Sequence, residues 1–140
     1  PRPVRIELVE PLPAVIGHRG VLSQVFENLL SNAAKFVAPD VTPSIVVSAE
    51  TRQGRVRVTV ADNGIGIAPE HQDRIFRVFE RLHRIDAYPG TGIGLAIVRK
   101  GVDRLGGHCG VESSPDRGSR FWVELPATDS SSVAAGDYLE

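Results

Sequence analysis

In "ENLLSNAAKF" the residues Asn28, Asn32 and Lys35 stand at i, i+4 and i+7, so a helix would carry all three on one face. Amide oxygens suit a hard cation such as Mg2+, and a lysine suits phosphate. A solvated polar stripe is the plain alternative. Two asparagines, poor mid-helix residues, repeated one turn apart favour a site. In "ADNGIGIAP" Asp62 closes an apolar strand, and Gly64 and Gly66 follow. A carboxylate there can accept a hydrogen bond from an exocyclic amine such as that of adenine, and the glycines leave room for a flat ring. The same Asp-Asn-Gly equally makes an Asx turn. In "GTGIGLAIVRK" Gly90, Gly92 and Gly94 precede a helical run. Glycine lets backbone approach a ligand closely, and a helix start attracts phosphate.

The glycine segment fits neither familiar phosphate loop. A dinucleotide fold needs a strand directly before G-x-G-x-x-G, whereas "RIDAYP" precedes G-x-G-x-G here. A Walker A loop needs Lys and Ser or Thr after its last glycine, whereas Leu95-Ala96 follows Gly94. In "IFRVFERLHR" Phe76 and Phe79 are three apart and read as core packing of a short helix. Arg81, His83 and Arg84 then fall in a loop, either closing over phosphates or simply exposed.

These residues need elements to hold them, and the pattern supplies them. "VRIELVE" alternates with period two and reads as a strand. Val21, Leu22, Val25, Phe26, Leu29, Leu30, Ala33 and Val37 recur at helical steps, predicting an amphipathic helix. "SIVVSAE" and "RVRVTVAD" predict a hairpin around Thr51-Arg52-Gln53-Gly54. A short helix starts at Pro69. Another begins at Thr91 or Gly94 with Leu95, Ile97, Val98, Val102 and Leu105 inside, ending at Gly106-Gly107. "HCGVESS" and "SRFWVELP" predict two last strands around Pro115-Asp116-Arg117-Gly118. The order β-α-β-β-α-loop-α-β-β predicts an α/β (α+β) two-layer sandwich, with helices on one face of a mixed, mostly antiparallel sheet.

The chain's 140 residues are the length of one domain, and 41% hydrophobic residues are enough for a core. Lys and Arg number 16 and Asp and Glu 17, so charge gives no reason to expect nucleic acid as a partner. The single cysteine, Cys109, excludes an internal disulfide and suits a reducing, cytoplasmic setting. Pro1-Arg2-Pro3, without an initiating Met, reads as a cut from a longer chain. After Pro126 the small, polar residues 127–140 are expected to be a disordered tail.

Taken together, the motifs resemble those of the ATP-binding catalytic domain of sensor histidine kinases. "QVFENLLSNAAKF" is similar to that family's N box, "DNGIGI" to its G1 box, "IFRVF" to its F box and "GTGIGLAIVRK" to its G2 box. The order matches too, and the resemblance covers residues 4–126. "RLHRIDAYPGTGIGLA" and "GGHCGVESS" look most like phytochrome-type kinases. The resemblance implies the GHKL fold, with ATP between the first long helix and a lid from Arg81 to Gly90. It further implies that Asn32 ligates Mg2+ while Asn28 and Lys35 bind phosphates, with Phe36 beside the nucleotide. Asp62 would receive the adenine amine in a pocket shaped by Gly64, Gly66 and Ile67. Arg81, Gly90, Thr91, Gly92, Ile93, Gly94 and Leu95 complete the implied ATP contacts.

Hydrolytic relatives carry a water-activating Glu where this chain has Asn28. Glu27 is turned about 100° away on a helix, so no general base is expected. The phosphoacceptor in the family is a histidine usually followed by Glu or Asp. His18, His71, His83 and His108 are followed by Arg19, Gln72, Arg84 and Cys109. No catalytic residue is therefore assigned in this chain. The implied partners are the dimerisation domain of the same full-length protein and a response-regulator receiver domain, with the isolated domain a monomer. The full-length protein is either soluble or membrane-anchored. The alternatives are a stand-alone GHKL ATPase, an anti-sigma-type serine kinase, and a degenerate nucleotide-binding regulatory module. Gly101, mid-helix where the family has a bulky apolar residue, is expected to cost that helix roughly 1 kcal/mol.

Overall fold

Period-two stretches pair into one five-stranded sheet, and period-3.6 stretches cover one of its faces. The computed structural model describes residues 3–15, 17–72 and 94–127. Its elements are β1 (Arg5–Leu8), α1 (Arg19–Lys35), β2 (Ser44–Arg52), β3 (Arg55–Asp62), α2 (Pro69–Gln72), α3 (Gly94–Arg104), β4 (His108–Ser113) and β5 (Ser119–Pro126). The sheet order is β1-β2-β3-β5-β4. β1 lies parallel to β2, which requires a crossover, and α1 is that crossover. The other three pairings are antiparallel.

Alternation sorts the sheet's residues. Ile45, Val47, Val56, Val60, Phe121, Val123 and Leu125 face the helices and are buried. α1 meets them with Leu22, Val25, Leu29 and Ala33, and α3 with Leu95, Val98 and Val102. The opposite face is polar. There Arg57 pairs with Glu124 at 2.7 Å and lies 3.9 Å over the Trp122 ring. A depression of about 230 Å³ on this face is lined by Glu50, Arg57, Thr59, Glu112 and Trp122 among others. It contains neither Asn32 nor Asp62 and reads as a solvated sheet surface.

The expected elements are all present within the described residues, and Gly101 has a reason that helix propensity could not supply. It is buried, and a Cβ on it would lie 2.9 Å from Val25 Cγ2 and 3.2 Å from Val21 Cγ1. The glycine lets α3 come close to α1. The expected weak point is thus a packing contact. Cys109 is half-buried against the core, and burial pushes its thiol pKa up. Ala127 is held by an N–H bond to the Gly54 carbonyl at 2.9 Å and a bridge to Val15. The rest of the expected tail lies outside the described residues, as do Phe76 and Phe79, Arg81, His83 and Arg84, and Gly90 to Ile93.

Candidate functional site

The buried ridge of α1 runs through Leu22, Val25, Leu29 and Ala33. Asn28 and Asn32 each sit one position before a ridge residue, so both border the core and are half-buried. Asn28 donates from Nδ2 to the Gln24 carbonyl at 2.7 Å, one turn back. Among the described residues no side chain engages the Asn32 amide, and Lys35 is exposed in the last turn. Glu27 is exposed, on a different bearing from the asparagines.

The Asp62 turn is tied directly to the end of this helix. A helix C-terminus leaves carbonyls without an internal partner. The Phe36 carbonyl, at the C-cap of α1, accepts the Ile65 N–H at 2.9 Å. Gly64 is packed so closely here that a Cβ would collide with the same Phe36 carbonyl oxygen. Gly66 has φ +79, and a Cβ there would strike the Ser114 carbonyl. Both glycines are therefore required by the turn itself. Asn63 fastens the other side, accepting from Ser44 N at 2.9 Å and donating to the Thr42 carbonyl at 3.0 Å.

Asp62 makes the Asx turn and keeps an oxygen spare. Its Oδ1 accepts from Gly64 N at 2.9 Å and from Ser119 N at 3.1 Å. No hydrogen bond among the described residues reaches Oδ2. Burial raises the Asp62 pKa, and the two backbone N–H groups partly oppose that rise. A donor at Oδ2 would relieve the desolvated charge. The two readings of Asp-Asn-Gly are thus compatible, one for each carboxylate oxygen.

The start of α3 reaches the same end of the molecule. A Cβ on Gly101 faces Val21 and Val25, while Leu105 lies against Gly17. The helices are therefore antiparallel. At 1.5 Å per residue, going from Gly101 back to Gly94 covers about 10 Å and sets Gly94 level with Asn28 and Asn32. The first described turn of α3 thus lies level with the asparagine row, at the end of the helix that carries the positive pole of its dipole. The Leu95 side chain is buried in the core, which leaves its backbone for the expected ATP contact. Ile67 is similar. Its side chain packs on the core, its N–H goes to Ser113 Oγ, and its carbonyl accepts from Gln72.

An amide row, a helix N-terminus and a carboxylate turn thus gather at one end of the helical layer. Residues 17–129 match the family described as histidine kinase-, DNA gyrase B- and HSP90-like ATPases. The chain belongs to this ATPase family. Within the family it is homologous to the catalytic domains of sensor histidine kinases. Cyanobacterial phytochrome A of Nostoc sp. is 43% identical over 117 residues, which cover 84% of this chain and 15% of that protein. Sensor histidine kinase AruS of Pseudomonas aeruginosa is 46% identical over 118 residues, covering 78% of this chain and 12% of that protein. The chain therefore spans only a small part of these relatives. Mycobacterial sensor histidine kinase MprB aligns with TM-score 0.74 and 28% identity, over 89% of this chain and 82% of that one. Full-length ShkA in complex with AMPPNP aligns with TM-score 0.74 and 36% identity, over 90% of this chain and 26% of that one. The two-layer GHKL architecture is the fold of the family. No helix among the described residues is long and apolar enough to cross a membrane.

The sequence alone did not point to Ser113, Ser119, Gln72 or Asn63, which hold the Asp62 turn in place. Their only signal is position: polar residues at strand and helix ends beside the glycine turn.

Proposed function

We propose that this chain binds ATP with Mg2+ and passes the γ-phosphate to a histidine on a dimerisation domain of a longer protein. The observation that carries this is the Ile65–Phe36 bond, which brings the Asp62 turn to the end of the helix bearing Asn28 and Asn32. Asp62 Oδ2 would accept the adenine amine. Asn28, Lys35 and the N–H groups at Gly94 would face the phosphates. Phe36 would lie beside the nucleotide, and Arg81 and Gly90 to Ile93 would come from the lid.

The residues fit magnesium. Asn32 offers a neutral oxygen at the edge of the core. Among the described residues no three His, Cys, Asp or Glu side chains gather, so a cation held by Asn32 would draw its other oxygens from phosphate and water. When bound, Mg2+ supplies charge neutralisation on the β- and γ-phosphates. The side chains of this chain would bind and orient, and among the described residues of α1 none is placed to remove a proton from water. Asn28 is neutral and Glu27 points away, which favours transfer to a partner over hydrolysis. The proposed partners are that dimerisation domain and a response-regulator receiver, in the cytoplasm.

The test is transfer of labelled phosphate from ATP to a dimerisation domain supplied in trans. An acid-labile phosphohistidine is expected. ATP binding without transfer would favour a regulatory binding module, and multiple turnover by the chain alone would favour an ATPase.

A further inference from the structure

Behind the Asp62 turn lies a closed set of hydroxyl hydrogen bonds. Ser113, at the end of β4, accepts the Ile67 N–H at 2.7 Å and donates to the Gly118 carbonyl at 2.9 Å. Its Oγ also lies 2.8 Å from Oγ of Ser119, which is buried. Either serine could be the donor on distance alone. Proton counting chooses. A hydroxyl has one proton and two lone pairs. The Ser113 proton is committed to Gly118, whose position is buried, and Ile67 takes one lone pair. The remaining lone pair must receive the Ser119 proton. Reversing the bond would leave the Gly118 carbonyl without this donor.

Ser119 is the cross-strand partner of Asp62, and the two side chains share the helix-covered face. Directly opposed positions place Cβ atoms about 5 Å apart. With its proton turned toward Ser113, Ser119 presents only lone pairs to the space beside Asp62. Asp62 Oδ2, when ionised, also only accepts. The side-chain oxygens that this cross-strand pair leaves over are therefore both acceptors.

We propose that Ser113, which has no place among the ligand-contacting residues, is a positioning and specificity-determining residue for the purine. It holds the Ser119 hydroxyl as an acceptor, so the pair accepts a 6-amino purine and rejects a 6-oxo purine. The inference rests on the proposed nucleotide site. Without the Ser113 hydroxyl, the Ser119 proton is free to rotate toward Asp62 Oδ2 or toward a ligand carbonyl. The adenine amine then loses its acceptor, and a 6-oxo group gains a donor.

The experiment is calorimetric titration of the chain with ATP and, separately, inosine triphosphate, both with Mg2+. Wild type should prefer ATP. Ser113→Ala should weaken ATP binding and reduce the ATP-to-inosine-triphosphate ratio about tenfold, while Ser113→Thr, which keeps the hydroxyl, restores it. A purely structural role would weaken both nucleotides alike and leave the ratio unchanged, and that result overturns the proposal. If Ser113→Ala does not fold, Ser113→Cys, a weak hydrogen bonder of similar size, carries the same test. Asp62→Asn separates the two readings. Loss of preference in Asp62→Asn with an unchanged ratio in the Ser113 variants sinks the Ser113 role alone. A wild type that binds neither nucleotide, or both equally, sinks the nucleotide site with it.

Discussion

Asp62 combines two tasks in one carboxylate, and a single substitution separates them. Asn in its place keeps Oδ1 for Gly64 and Ser119 but turns the second acceptor into a donor. Asp62→Asn should therefore remain folded, with thermal stability at neutral pH no lower than wild type. Its ATP affinity should fall roughly ten- to a hundredfold, as measured by calorimetry. The pH dependence follows from the raised pKa. In the ligand-free chain, a carboxylate with its folded pKa above the ordinary 3.8 contributes stability at low pH that is lost as pH rises through the folded pKa. An amine donor favours the charged form, so ATP affinity should drop as pH falls toward that raised pKa. Asp62→Asn should lack this drop. At Asn32 the expected loss is of metal dependence: Asn32→Ala should bind ATP equally weakly with and without Mg2+. Asp62 and Asn32 stand out in the sequence as candidates because a strand-end Asp-Asn-Gly and asparagines one turn apart are local patterns, each with a plainer use beside it. Ser113 and Ser119 were not, because a serine at a strand end carries no periodic signal and its meaning lies in a partner strand.

The elements were legible for a physical reason: each buries one face, and burial imposes a period. The α1 ridge at Leu22, Val25, Leu29 and Ala33 and the alternation of β5 are both written in residue type. How helices pack against each other is not written there. Gly101 looked like a helix flaw because propensity is local, whereas its reason is the close contact with Val21 and Val25 on another helix. The same contact sets the antiparallel register that brings Gly94 level with the asparagines. Gly101→Ala should gain about 1 kcal/mol of helix propensity and lose about 1–3 kcal/mol to overpacking against stiff valines. A net loss of stability is expected in denaturant titration. It should be accompanied by weaker ATP binding, because α3 must move away from α1. A stabilised variant with unchanged affinity would show that the contact does not set the site.

At the scale of the molecule, the two faces of the sheet differ. The helix-covered side holds the asparagine row, the α3 N-terminus and the Asp62 turn. The open side holds paired charges around Trp122. As parts of the proposed ATP site, these three pieces should respond together to one ligand. The most direct measurement is titration of the nitrogen-labelled chain with ATP and Mg2+, followed by amide resonances in NMR. The side-chain amide of Asn32 and the backbone amides of Gly64 and Gly66 should shift together with a single affinity, while residues around Trp122 stay still. Separate affinities for Asn32 and the glycine turn, or shifts confined to the open face, would contradict it.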